Sequence, residues 1–270
     1  MKITLHNFGN FRLDGGSMFG PVPKKIWSKL VTPDEDNRIL MASNTLLIEY
    51  DDKKIIIDAG VGIRGNDKFN KIYGVEKRKE IPTSFAEADG ITDVIITHLH
   101  FDHVGGLSQS KNSAILPHYP NARYHLQEAN LKVAKAPNPQ EAGSYFTENI
   151  KILTEDNCQL YNGNNEIFPK IKATVSNGHT TGLQYLLIEY NEQTIAFPSD
   201  LVPTSKHINT VYHMGFDINA ELLLKEKQDF LEAAVKNNYL VVFQHDPLVP
   251  LGRISKLADY KFKLTPVDKL

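Results

Sequence analysis

The sequence predicts an α+β domain made of two related halves, each a strand-plus-helix unit, packed face to face. Short apolar runs of strand length alternate with longer amphipathic stretches of helical period. The run Leu46-Leu-Ile-Glu-Tyr50 recurs as Leu186-Leu-Ile-Glu-Tyr190 at an offset of 140, and the 15-residue windows that begin there share six residues, five of them consecutive. Each half would carry a sheet with an apolar face that needs the other to cover it, so both belong to one domain spanning residues 1–270.

Taken in order, residues 1–40 read as a long loop with one short helix. Gly15, Gly16, Gly20, Pro21, Pro23 and Pro33 punctuate it, while Phe19 and Trp27 give it apolar bulk that a linker would not carry. It is expected to be an N-terminal arm packed on the body near the functional site. Thr45–Tyr50 and Lys54–Asp58 read as a hairpin turning at Asp51-Asp52. The second of these runs is β-branched and apolar enough to be covered on both faces. Residues 66–90 read as helical, with Pro82 near a helix start. Thr92–Thr97 is a short buried strand. Residues 127–136 form a helix ended by Pro137-Asn138-Pro139, and 137–170 is loop-rich. Asn219–Lys236 is an amphipathic helix with Leu223, Phe230 and Ala234 on its apolar side. Tyr239–His245 is a further strand.

Composition narrows the function. The chain has 270 residues, 41% apolar and 23% charged, as in a soluble globular protein, and ~75% of its unfolded surface can be buried at this size. Thirty basic residues against thirty-two acidic ones give a net charge of −2, with no general attraction to nucleic acid or anionic membrane. The start, MKITLHNFGN, lacks the apolar run of a signal peptide, and no apolar stretch is long enough to span a bilayer. A cytoplasmic protein is expected. Cys158 is the only cysteine, so disulfides and Cys-rich zinc modules are excluded. It has no flanking cation or motif to activate it.

The ten histidines are unevenly placed. The segment Thr97-His98-Leu99-His100-Phe101-Asp102-His103-Val104-Gly105-Gly106 holds four ligand-type side chains in six residues. In near-extended backbone alternate side chains share a direction, so His98, His100 and Asp102 can converge while His103 turns to the adjacent space. Gly105 and Gly106 permit close backbone approach or a positive φ. Adjacent imidazoles repel when protonated, and a metal ion removes the conflict, since neutral imidazole and carboxylate are its natural ligands. Further ligands should lie at other element ends. His179 in Gly178-His179-Thr180-Thr181-Gly182, Asp200 in Phe197-Pro198-Ser199-Asp200, and His245 in Gln244-His245-Asp246-Pro247 fit. His6, His118 and His125 read as surface or packing residues.

These motifs, in this order over residues 42–250, resemble the metallo-β-lactamase superfamily of hydrolases. The resemblance implies a four-layer αββα sandwich, two mixed β-sheets flanked by helices. It implies a binuclear site in which His98, His100 and His179 hold one ion, Asp102, His103 and His245 the other, and Asp200 bridges them. Asp58 is similar to a position that supports the ligand loop. Two divalent ions are implied, zinc first, with iron and manganese open. A hydroxide shared by the ions would attack an ester, lactone or phosphoester, with Asp102 or Asp200 taking the proton passed to the leaving group.

The layout is most similar to the lactonase and organophosphate-hydrolase branch. One position departs from it: acyl-homoserine-lactone hydrolases typically carry Tyr three residues after the bridging Asp, where this chain has Pro203. Thr204, His207 or Tyr212 would then have to stand in, or the substrate differs. Leu183 also replaces a His common after the GHTxG turn. Phe19, Trp27, Phe101, Tyr212 and Met214 are candidate pocket walls for a neutral, partly apolar small molecule, and His207 and His213 are candidates to touch it. A glyoxalase II-like thioesterase, a phosphodiesterase and a non-hydrolytic iron or oxygen-binding protein are the alternatives. The aromatic arm is compatible with a homodimer.

Overall fold

A strand whose every residue is apolar must be covered on both faces, and here the residues of such strands divide between two cores. The computed structural model describes residues 1–62, 67–76, 88–112 and 114–270. In the first sheet β1 (Lys2–Asp14), β2 (Arg38–Tyr50), β3 (Lys53–Ile57), β4 (Asp93–Ile95), β7 (Arg123–Gln127) and β8 (Cys158–Tyr161) lie side by side in that order. The second runs β15 (Lys261–Pro266), β14 (Leu251–Ala258), β13 (Leu240–Val242), β12 (Gln193–Phe197), β11 (Leu183–Tyr190), β10 (Ile171–Ser176), β9 (Asn165–Phe168). A small hairpin, β5 (Ser108–Lys111) with β6 (Ala114–Pro117), stands apart.

Leu46, Ile48, Ile55 and Ile57 of the first sheet meet Leu186, Ile188, Ile195, Phe197 and Val242 of the second in the central core. The alternate residues face outward. Leu47, Ile56 and Val94 pack on Leu131 and Ala134 of the helix Glu128–Lys135. Ala196 and Val241 pack on Leu223, Phe230, Leu231 and Ala234 of the helix Ala220–Lys236. These layers make the αββα sandwich. The internal repeat is present in both sheets. β2 pairs antiparallel with β3, which pairs parallel with β4, and β11, β12 and β13 repeat that pattern.

Two expectations need correction. Residues 2–14 form a strand, not a loop: β1 pairs along β2, and a register shift between Asn7 and Asn10, with Gly9 at φ 131°, breaks the alternation that would have marked it. The segment 137–170 carries a helix, Thr147–Lys151, and the strands β8 and β9. Within 66–90 the helix Asp67–Tyr73 is present, and the helix start near Pro82 lies outside the described residues. Among the described residues no helix is long and apolar enough to cross a membrane.

Phe197 is fully buried between the sheets. Phe197→Ala is expected to lower unfolding free energy by about 3–5 kcal/mol, read by chemical denaturation, because the rigid sheets cannot collapse into the space.

Candidate metal centre

The site lies at the edge where β3, β4, β12 and β13 end, and Asp58 organises it. Its Oδ1 accepts from the Thr97 backbone N–H at 2.7 Å, and its Oδ2 accepts from Thr97 Oγ1 at 2.7 Å and from Gln244 Nε2 at 2.8 Å. His103 Nδ1 lies 3.0 Å from the same Oδ2. One fully buried carboxylate therefore fixes the start of the histidine motif, one of its members and the residue before His245. Ser199 Oγ donates to Thr97 Oγ1 at 2.9 Å, which ties in the segment carrying Asp200. Asn130 links two more segments, accepting from Leu99 N–H at 2.9 Å and donating to Thr181 O at 2.8 Å.

The motif is extended only as far as His100; a short helix, Phe101–Val104, starts there. The expected alternation through Asp102 is thus corrected. His98 and His100 share a direction, whereas the helical turn sends Asp102 and His103 to a second place. Gly105 and Gly106 allow this turn to lie against the chain after β3: a Cβ on Gly105 would come 1.9 Å from Val61 O, and one on Gly106 would come 2.3 Å from Ala59 O.

Two groups result, each with ligand atoms within 4.8 Å of one another: His98, His100, His179 and Asp200, and Asp102, His103, Asp200 and His245. Asp200 belongs to both. Its Oδ2 is 3.2 Å from His179 Nε2 and 3.9 Å from His98 Nε2, and its Oδ1 is 3.0 Å from His245 Nε2 and 3.5 Å from His103 Nε2. Asp102 Oδ2 lies 3.6 Å from His245 Nε2 and 3.8 Å from His103 Nε2. The structure brings together all seven residues singled out in the sequence.

The far nitrogens of four of these rings are anchored, which fixes ring orientation and tautomer. His179 Nδ1 meets Asp217 Oδ1 at 2.8 Å, His245 Nδ1 meets Ala42 O at 2.8 Å, His103 Nδ1 meets Asp58, and His98 Nδ1 meets Thr97 Oγ1 at 3.2 Å. Asp217 is itself held, its Oδ2 accepting from Met214 N–H at 2.7 Å. Asp217, Gln244 and Asn130 escaped the sequence reading. Each is a lone polar residue, and no spacing ties it to a histidine tens of residues away.

Burial, with the charges of His103 and His100, holds the His98 imidazole well below the ordinary histidine range. Burial and the charges of His179 and His103 do the same to His100. Burial also opposes a charge on His103, but Asp200 and Asp102 outweigh it and hold that ring protonated well above the usual range. His179 is raised in the same way, against its burial, by Asp200 and Asp217. Burial disfavours the Asp200 carboxylate, yet His103, His245 and His179 hold it well below the usual range.

The donor set fits two small divalent cations. Ring nitrogens stand close enough to need a shared proton or a cation between them: His100 Nδ1 is 3.1 Å from both His98 Nε2 and His179 Nε2, and His103 Nε2 is 3.2 Å from His245 Nε2. Among the described residues the buried Asp200 Oδ1 has no hydrogen-bond partner. A cation in each group satisfies these atoms, with nitrogen and oxygen ligands of the type that zinc, iron and manganese accept.

A cavity of about 420 Å³ opens on the centre. His100, Asp102, His179, Asp200 and His245 form its floor, and Phe101, Met18, Met214 and Phe216 supply apolar walls, with Arg12, Tyr73 and Gln140 among the polar ones. Phe101 and Met214 are where the sequence reading expected them. Phe19, Trp27, His207 and Tyr212 are not in its lining, which corrects that expectation. Phe19 stacks between Trp27 and His207, with ring centroids 5.6 Å and 4.7 Å away, and Tyr212 meets its edge. The rings bury one another behind Met18. His207 bonds Met18 O at 2.8 Å and Thr204 Oγ1 at 2.7 Å, and burial pushes its pKa down to about 4. Thr204 and His207 thus engage each other and the arm. Pro203 O accepts from His245 N–H at 2.9 Å. Tyr73, which the sequence reading missed, is the phenol in the cavity wall.

The chain belongs to the metallo-beta-lactamase superfamily, whose profile matches residues 38–245. It is similar to an N-acyl homoserine lactonase of Bacillus cereus, 27% identical over 218 residues that cover 74% of this chain and 79% of the relative. A probable metal-dependent hydrolase from Staphylococcus aureus superposes with a TM-score of 0.84 at 28% identity, covering 94% of each chain. The dizinc quorum-quenching lactonase AidC, solved with a product, superposes with a TM-score of 0.77 at 19% identity over 98% of this chain and 94% of its own, a likeness of fold.

Asp217→Asn is expected to weaken metal affinity about 10- to 100-fold without unfolding the protein, measured by chelator competition. His103 and His179, whose pKa values are raised above 6.5, must lose protons to become ligands. Metal uptake should therefore release protons, and affinity should rise with pH through and above 6.5, as read by calorimetry in buffers of different ionisation enthalpy.

Proposed function

We propose that the protein is a metal-dependent hydrolase that cleaves an ester or lactone bond in a small molecule, with two divalent ions, zinc first among them. The sharing of Asp200 between the two ligand groups carries this reading. His98, His100, His179 and Asp200 Oδ2 would hold one ion, and Asp102, His103, His245 and Asp200 Oδ1 the other. Bound there, the ions would polarise a carbonyl oxygen and bring the pKa of water towards ~7.

The chain's own residues supply the rest. Asp58, Asp217, Thr97 and the Ala42 carbonyl orient the imidazoles, so that no ring has to reorganise during reaction. Both close approaches of Asp102 to the imidazoles use Oδ2, which leaves its other oxygen to receive a proton and pass it to the departing alkoxide. Phe101, Met18, Met214 and Phe216 exclude water beside the reacting bond and strengthen the electrostatics there. Residues 1–270 act as one domain in this reading, and the first 40 contribute a cavity wall through Arg12, Leu13, Ser17 and Met18. The relatives named as N-acyl homoserine lactonases support a lactone as the first substrate class to test.

The test combines elemental analysis with a panel of lactones, aryl esters and phosphoesters. About two metals per chain are expected, with turnover of a lactone or ester that chelation abolishes and zinc restores. Asp200→Asn and His103→Ala are each expected to lose at least about a hundredfold in kcat/KM. Two bound metals with no turnover of any ester-type bond would overturn the reading.

A further inference from the structure

Two arginines line the cavity, and they differ in how they are used. Arg38 spends its guanidinium on the fold: Nε donates to Asp34 Oδ2 at 3.0 Å, and Nη1 donates to Lys71 O at 3.0 Å and Ile72 O at 2.8 Å. The Arg12 guanidinium makes no hydrogen bond among the described residues. Among the described residues its one carboxylate neighbour is Asp34, with Nη1 at 3.8 Å from an oxygen that Arg38 already occupies. Asp14, the carboxylate in the same wall, turns its oxygens to the Ser17 N–H and the Asn37 amide, both at 2.7 Å. Arg12 is therefore a cation in the wall of the cavity whose one pairing among the described residues is long and shared with Arg38.

It is also held in place. Gly74 has φ +51° and follows the helix Asp67–Tyr73, and a Cβ there would lie 3.1 Å from Arg12 Cδ and 3.4 Å from Cγ. The bare glycine lets the helix end rest on the arginine stem, while Arg38 ties down that same helix end. The stem's rotamers are restricted before any ligand arrives, which lowers the entropy cost of using the charged head. The preceding residue, Phe11, packs edge-on to the His245 ring at 5.6 Å between centroids. The Arg12 backbone thus passes one residue from the metal-ligand cluster, and Arg12 and the cluster line one cavity.

We propose that Arg12 is a specificity residue that pairs with a carboxylate on the substrate, so that the ester or lactone cleaved here is itself an acid. This replaces the neutral substrate expected from the aromatic residues, and it rests on the hydrolase reading above. A guanidinium fork matches a carboxylate with two parallel hydrogen bonds, in a partly apolar cavity where the pair is weakly screened. The apolar walls take the carbon chain between the carboxylate and the scissile bond.

The experiment has a kinetic and a binding arm. Matched ester and lactone pairs, one member bearing a free carboxylate and the other its carboxamide, are compared on the zinc-loaded enzyme, and Arg12→Gln and Arg12→Lys are compared with wild type. The wild type should prefer the acid by about tenfold or more in kcat/KM, Arg12→Gln should erase that ratio, and Arg12→Lys should keep part of it. In the binding arm, monomethyl adipate and dimethyl adipate are titrated into the metal-free protein, and the Arg12 Nε–H resonance is followed by NMR. The monoester should shift it and the diester should not. A shift without turnover of any substrate would sink the hydrolase reading and uphold the pairing. Turnover with no acid preference, or with a preference that survives in Arg12→Gln and no shift, would overturn the pairing and leave the hydrolase reading intact.

Discussion

Five imidazoles packed out of water within hydrogen-bonding reach of one another cannot all carry a proton, and one carboxylate between them makes the arrangement possible. Asp200 presents a different oxygen to each set of rings. It raises His103 and His179, and they in turn keep it ionised despite its burial. The balance is incomplete, since among the described residues Asp200 Oδ1 and His100 Nε2 have no hydrogen-bond partner. A buried polar group without a partner costs free energy, and a cluster of them is a site whose remaining partners are cations.

The internal repeat explains why the ligands meet. In each half the second and third strands of the unit are parallel and end at the same edge. Asp58 follows β3 and His98 lies just past β4, while Asp200 follows β12 and His245 lies just past β13. Packing the two sheets through Ile55, Ile57, Ile195 and Phe197 brings these edges together. Asp58 then locks them by bonding across both halves, to Thr97 and His103 on one side and to Gln244 on the other. The stability of the central core and the geometry of the site are therefore one problem: a slip between the sheets would break the Asp58 bonds.

Much of this was legible in the sequence, and the reasons are physical. The ligand residues sit in short segments at strand ends, where chemistry outweighs packing in the choice of residue, so they stand out. The buried strands β2, β3, β11 and β12 announce themselves by continuous apolar runs. The edge strand β1 does not, because its bulge near Gly9 shifts the alternation. The pocket walls were harder to read. Phe19 and Trp27 looked like ligand contacts, but large aromatics bury most area against each other. The wall that remains comes from Met18, Tyr73 and Arg12, set by side-chain direction in the folded chain. Asp217 and Gln244 act through partners far away in sequence, and only the fold brings those partners close.

X-ray absorption fine structure on the zinc-loaded protein tests the central claim directly, because it sees whether the two ligand groups share a carboxylate. The expected spectrum shows nitrogen and oxygen neighbours with imidazole outer-shell features and a metal–metal vector at about 3.5–4 Å. A spectrum from the fully loaded protein with no such vector, or with a single ion per chain at saturation, would contradict the shared role of Asp200 and the account built on it.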